Sequence, residues 1–253
     1  MLIFTHFSNV DNAGDIYSCP VDYFGKQFEN YSKINFVDLK LNNKDNNNLI
    51  IGGGGMLHEG FINILEKLIN KQYKVILWGI GINEHNLHSQ FFPSFINKFD
   101  LVGLRDWKNP WEYVPCASCM HEVFNNTTYT SKHKCVIYEH YDNIIPINNF
   151  PKRSNRLNKN ETIVDIIHFL SKSEIIITNS YHGAYWGLLL KRKVLIFEPF
   201  SNRFFGFKSE IIYCDRNNWK EKLNTNIDIN SDYLNECRKL NLDFFKKTIN
   251  TLH

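Results

Sequence analysis

Residues 174–200 read EIIITNSYHGAYWGLLLKRKVLIFEPF, two apolar, β-branched runs enclosing a segment with helical spacing. The order predicts a strand over 174–179, a helix over 181–193 and a strand over 194–200. Such a unit crosses over right-handedly and makes its two strands parallel neighbours or near-neighbours. His182 and Tyr181 stand at the strand-to-helix joint, where Asn179 and Ser180 supply capping groups and Gly183 permits close packing. An imidazole in the first helical turn projects toward the crevice at the strand's carboxyl end, a position that favours a chemical role over core packing.

Outward from this unit the same alternation continues. In the second half, CVIYEHY (135–141) predicts a strand and ETIVDIIHFLSKS (161–173) a helix. In the first half, LIFTHF, INFVDL, NLII, KVILWGIGI and DLVGLRD predict strands, with FINILEKLINK as an amphipathic helix and SQFFPSFINKF as an amphipathic segment. The run beginning DIYSCP is helical only from Pro20 onward, and residues 12–15 form a polar turn. Residues 231–252 predict a long terminal helix capped by Ser231. The fold class is therefore α/β with mostly parallel strands. The pattern resets near residue 128, which divides the chain into 1–128 and 129–253, the latter carrying the terminal helix.

The chain has 253 residues, 43% hydrophobic and 22% charged, as expected of a folded protein. Its net charge of +3 comes from lysines and arginines scattered among acids, so nucleic acid is not an expected partner. No stretch approaches the roughly 18 apolar residues of a membrane span, and the opening residues hold too short an apolar run for a signal peptide. The expectation is a cytoplasmic protein whose six cysteines are reduced thiols or metal ligands rather than a disulfide framework.

Ligands of parallel sheets bind outside the carboxyl ends of the strands. That rule selects Asn12, Gly14 and Asp15; the run Gly52, Gly53, Gly54 and Gly55; the segment GIGINE at 79–84; Arg105 and Asp106; and Ser180, Tyr181, His182 and Gly183. Four glycines let backbone N–H groups approach an anion, and the competing reading is a tight turn. Arg105 and Asp106 are expected to emerge as charges at the sheet edge, or to form a turn salt bridge. Arg203 is expected as an exposed cation, and His140 as either an acceptor-facing group or a core residue beside Tyr138. Cys116, Cys119 and His121 have the beginnings of a zinc spacing without a second C-x2-C, so buried thiols are the preferred reading and no metal is expected.

Together, DNAGD, IIGGGGML, ILWGIGIN, VGLRD and IITNSYHGAYWGLLLKRKVLIF resemble the polysaccharide pyruvyl transferase family over about residues 8–208. The resemblance implies two Rossmann-like domains facing a cleft, as in GT-B glycosyltransferases. It also implies a reaction in which phosphoenolpyruvate gives its pyruvyl group to a sugar as a ketal, in capsule, exopolysaccharide or other cell-surface glycan synthesis, with the histidine matching His182 serving the chemistry. Two places differ: Ser180 stands where many members carry arginine, and VPCASCMH stands where they commonly carry aspartate-proline.

On this reading the partners are an anionic small-molecule donor, phosphoenolpyruvate, and a glycan acceptor, with no further cofactor. Peripheral association with a lipid-linked glycan at the inner face of the membrane and homo-oligomerisation are compatible with it. His182 would be the general acid/base, Arg105 and Arg203 the anion ligands, and the glycine amides the cleft lining. Two alternatives use the same scaffold: a GT-B glycosyltransferase taking a nucleotide sugar, and a non-catalytic member that binds glycan or scaffolds an assembly.

Overall fold

A computed structural model describes residues 1–39, 47–69, 73–85, 92–126, 131–140, 143–148, 153–155 and 162–253. The boundary expected near residue 128 lies outside the described residues. Among those described, the apolar runs build two separate sheets whose strand pairs are all parallel.

The first sheet contains β1 (Leu2–His6), β2 (Tyr31–Asn35), β3 (Asn48–Gly52), β4 (Val75–Ile80), β5 (Leu101–Leu104) and β6 (Glu112–Tyr113). Their order is β2-β1-β3-β4-β5-β6. The second contains β7 (His133–Glu139), β8 (Arg153–Asn155), β9 (Ser173–Thr178), β10 (Lys193–Phe197) and β11 (Ile212–Cys214), in the order β11-β10-β9-β7-β8.

Among the described residues seven α-helices accompany the strands: α1 (Ala13–Ile16), α2 (Val21–Phe24), α3 (Glu59–Glu66), α4 (Ile163–Ser171), α5 (Tyr181–Leu189), α6 (Trp219–Lys222) and α7 (Tyr233–Leu252). Thr162 caps α4 through a reciprocal bond pattern with Asp165. Helix α5 is buried on every side, so its sequence shows no polar stripe. No helix among the described residues is long and apolar enough to cross a membrane.

Both faces of each sheet are covered, and the period-2 alternation of a strand sorts its side chains between them. In β9, Ile176 enters the core shared with α4 and α5, whereas Ile175 and Ile177 enter the core on the opposite face. In the first sheet Ile50 and Trp78 lie in the core with α2, and Leu49, Ile51 and Leu77 in the core with α3.

Several boundaries differ from the sequence reading. The strand expected over INFVDL begins earlier, at Tyr31, and ends at Asn35. Phe36–Asp38 turns into a 3-10 helix that buries the Phe36 ring. The polar turn at 12–15 is a single helical turn capped by Asn12, whose Oδ1 accepts from the Gly14 N–H at 3.2 Å. Asp232, not Ser231, occupies the cap position of α7.

Helix α7 joins the two halves. Its first turns put Tyr233 and Cys237 into the core of the second sheet, and Phe244 and Phe245 then pack on Trp78 and Phe24 of the first. Between them Asn241 is fully buried. Its Oδ1 accepts from Trp78 Nε1 at 2.9 Å, while Nδ2 donates to the carbonyls of Cys237 and Pro115 at 3.0 and 3.1 Å.

Candidate functional site

Each sheet has one place where consecutive strands depart in opposite directions, and such switch points open a crevice at the carboxyl ends. In the first sheet it lies between β1 and β3, and in the second between β7 and β9. The segments that leave these four strands are Phe7–Asp15, Gly52–Gly55, His140 and Asn179–His182. Three of them meet at one cavity of about 190 Å³, whose walls include Asp15, Gly55, Tyr181 and His182.

His182 enters from the first turn of α5. Ser180 caps that helix, its Oγ accepting from the Gly183 N–H at 3.4 Å. Asn179 does not cap it. Its Oδ1 accepts from the His140 N–H at 2.7 Å instead, tying the ends of β9 and β7 together. The His182 imidazole is 6% exposed, lies 5.2 Å from the Trp186 ring, and brings Nε2 within 3.5 Å of the Cys116 thiol. Its Nδ1 edge lies against the Asn12–Asp15 turn, where a β-carbon on Gly14 would fall 2.0 Å from Nδ1. The two switch points are thus in direct contact at Gly14 and His182.

The cations differ from expectation. Arg105, Asp106 and Arg203 are 2%, 3% and 8% exposed, so none is a surface charge. Arg105 runs past Gly81, whose missing side chain leaves the gap: a β-carbon there would lie 2.5 Å from Nε. Its guanidinium stacks 3.8 Å from the Tyr181 ring centre, and Nε has no hydrogen-bond partner among the described residues. Asp106 accepts from the Ile82 N–H at 2.9 Å and sits behind the cavity rather than in its wall. Burial raises its pKa to about 6, against the opposing pull of Arg105. Arg203 packs 4.9 and 5.0 Å from the Phe200 and Phe204 rings and also lines the cavity. The two halves close over these charges because Asn202 and Glu84 exchange bonds of 3.0 and 2.9 Å, and Ser201 Oγ donates to Asn83 Oδ1 at 3.1 Å.

The glycine run divides by role. Gly53 and Gly54 adopt φ of 72° and 78°, and a β-carbon on Gly53 would meet Ser18 Oγ at 2.0 Å. Gly52 is packed equally tightly on Pro20. These two glycines seat the α1–α2 segment and do not wall the cavity; Gly55 does. Gly183 is likewise a packing position, facing Tyr138 and Thr178. His140 lies outside the cavity wall, its ring 5.2 Å from Phe200.

Cys116 and Cys119 are fully buried thiols, raised in pKa by that burial, Cys119 to about 12. His121 is turned away from them, its Nδ1 accepting from the Val123 N–H at 3.1 Å and its ring edge-on to Tyr17. Among the described residues no group of three His, Cys, Asp or Glu side chains could hold a metal ion.

Sequence reasoning missed three residues of the wall, Phe7, His58 and Phe61, whereas Asn83 lies in the strand-end segment GIGINE. His58 caps α3 with Nδ1, accepting from the Gly60 N–H at 2.9 Å, so the neutral ring carries its proton on Nε2. A histidine three positions after the glycine run, at a helix start, was the available signal.

No family model matches the chain, and no curated protein matches it. Among solved structures it is similar to an uncharacterized protein from Klebsiella pneumoniae subsp. pneumoniae. Identity is 20%, coverage is 78% of this chain and 82% of that one, and the TM-score is 0.43.

Proposed function

We propose that the protein is a transferase of the polysaccharide pyruvyl transferase type, moving the pyruvyl group of phosphoenolpyruvate onto a sugar of a cell-surface glycan as a ketal. On this reading the two sheets act as two Rossmann-like, GT-B-like domains, with the cavity as the donor end of the cleft between them. The observation that carries the proposal is the convergence of His182, Arg105 and Arg203 on one polar cavity where both sheets reverse direction.

Two buried guanidinium groups lining one cavity suit a small ligand with two anionic groups. The volume of about 190 Å³ is below the roughly 300–1,000 Å³ typical of drug-sized ligands, which favours phosphoenolpyruvate over a nucleotide sugar.

In the reaction, the arginines hold phosphate and carboxylate, and His182 delivers a proton to the methylene carbon, which becomes a methyl group. A sugar hydroxyl adds to the adjacent carbon, the bond from that carbon to the phosphate oxygen breaks, and a second hydroxyl closes the ketal. Of the two hydroxyl protons, one replaces the proton given to carbon and the other leaves with phosphate.

Purified protein with phosphoenolpyruvate and a panel of glycans should release inorganic phosphate, and His182→Ala should slow release about 100-fold or more. Thermal stabilisation by CMP- or UDP-sugars and not by phosphoenolpyruvate would replace this reading with glycosyl transfer. Glycan binding without turnover of any donor would leave a non-catalytic role.

A further inference from the structure

Behind His182 runs a line of polar groups that the proposed reaction leaves unused. Trp186 Nε1 lies 3.0 Å from Ser118 Oγ, Ser118 Oγ lies 3.3 Å from Cys116 Sγ, and Cys116 Sγ lies 3.5 Å from His182 Nε2. The Tyr185 hydroxyl donates to the Cys116 carbonyl at 2.9 Å and fixes the cysteine backbone. Ser118, Cys116 and Trp186 are fully buried.

The direction of this chain follows from donor capacity. An indole N–H only donates, so Ser118 Oγ accepts from Trp186 and has its own hydrogen to place. Among the described residues the acceptor within reach is Cys116 Sγ. Burial keeps that sulfur a neutral thiol, with one hydrogen. If His182 Nε2 donated to it, the sulfur would accept twice and, among the described residues, its S–H would have no acceptor in a buried site.

We infer that Cys116 is a positioning residue that donates its S–H to Nε2 of His182, so that the neutral ring carries its proton on Nδ1, the edge facing the Asn12–Asp15 turn of the cavity wall. The pyridine-type nitrogen is turned to the interior, and proton exchange with a ligand occurs at Nδ1. His58 is held in the opposite tautomer by its Gly60 contact, so the cavity pairs two histidines with complementary proton positions. The catalytic consequence rests on the proposed transfer reaction, whereas the tautomer itself does not.

The test is long-range 15N–1H correlation spectroscopy on the full chain with 15N-labelled histidine, at a pH where the ring is neutral. Nε2 of His182 should show a pyridine-type shift and Nδ1 a pyrrole-type shift. Cys116→Ser retains a donor and should keep that pattern, whereas Cys116→Ala should reverse or mix it. A pyrrole-type Nε2 in the unsubstituted protein overturns the inference even if neither variant folds, and so does an unchanged pattern in folded Cys116→Ala.

With phosphoenolpyruvate as donor, Cys116→Ala should lower kcat at least about tenfold, toward the 10²–10⁴ that proton transfer contributes, with KM nearly unchanged. Cys116→Ser should recover most of the loss. The predicted tautomer in a protein that turns over no donor would sink the proposed reaction and leave the role of Cys116 standing.

Discussion

Gly14 and His182 touch so closely that a β-carbon on residue 14 would lie 2.0 Å from the imidazole Nδ1, inside any allowed contact. Gly14→Ala must therefore displace the ring or the turn. Overpacking of this kind costs about 1–3 kcal/mol of stability. Misplacement of a reacting group by about an ångström costs on the order of 100-fold in rate. The variant should remain folded by circular dichroism while phosphate release falls by about that factor; full activity would place His182 outside the chemistry.

Arg105 is a buried cation stacked on Tyr181 whose Nε has no partner among the described residues. Arg105→Met should lower the stability of the unliganded protein at neutral pH, because it leaves the buried Asp106 carboxylate without the cation that opposes its burial. Stabilisation by phosphoenolpyruvate in a thermal-shift titration should weaken roughly 10- to 100-fold in apparent affinity. Arg105→Lys should fail to restore it, since an ammonium neither stacks nor forks. Undiminished donor affinity in both variants would remove Arg105 from the site.

Two buried groups give stability opposite pH slopes. Asp106 has its pKa raised by burial from 3.8 to about 6, so its contribution is greatest below pH 3.8 and is lost as pH rises through 6, about 3 kcal/mol in all. His6 has its pKa lowered by burial from 6.5 to about 4, so its contribution is present above pH 6.5 and is lost as pH falls through 4. The slopes offset one another between pH 4 and 6. Relative to the unsubstituted protein, the urea-unfolding free energy of Asp106→Asn should climb with pH across this window, and that of His6→Gln should decline. Parallel curves for all three proteins would refute the assignment.

Asn241 binds Trp78 Nε1 and two carbonyls in a site closed to solvent. Asn241→Ala strands a buried indole N–H and should lower stability by about 2–4 kcal/mol. Asn241→Leu, which fills the space without restoring an acceptor, should recover only the packing part. A loss below about 0.5 kcal/mol in urea unfolding would mean that α7 is held by its aromatic contacts alone.

By itself, the sequence determined the longer elements and their order, but not the short β6, β8, β11 and α6. The runs from 174 to 200 read as a strand, a helix and a strand, and the alternation on either side pointed to parallel sheets, because period and polarity are local properties. It also placed His182, Arg105 and the glycine run at strand ends, since that follows from chain order. It missed Arg105 and Arg203 as buried charges, because a charged residue looks the same in sequence whether solvent or a tyrosine face meets it. Only the tertiary structure decided which glycines serve packing and which wall the cavity, and that Gly14, 168 positions away in the chain, makes room for His182. Those outcomes depend on distances between remote segments, set when two sheets and α7 pack together, and no local pattern encodes them.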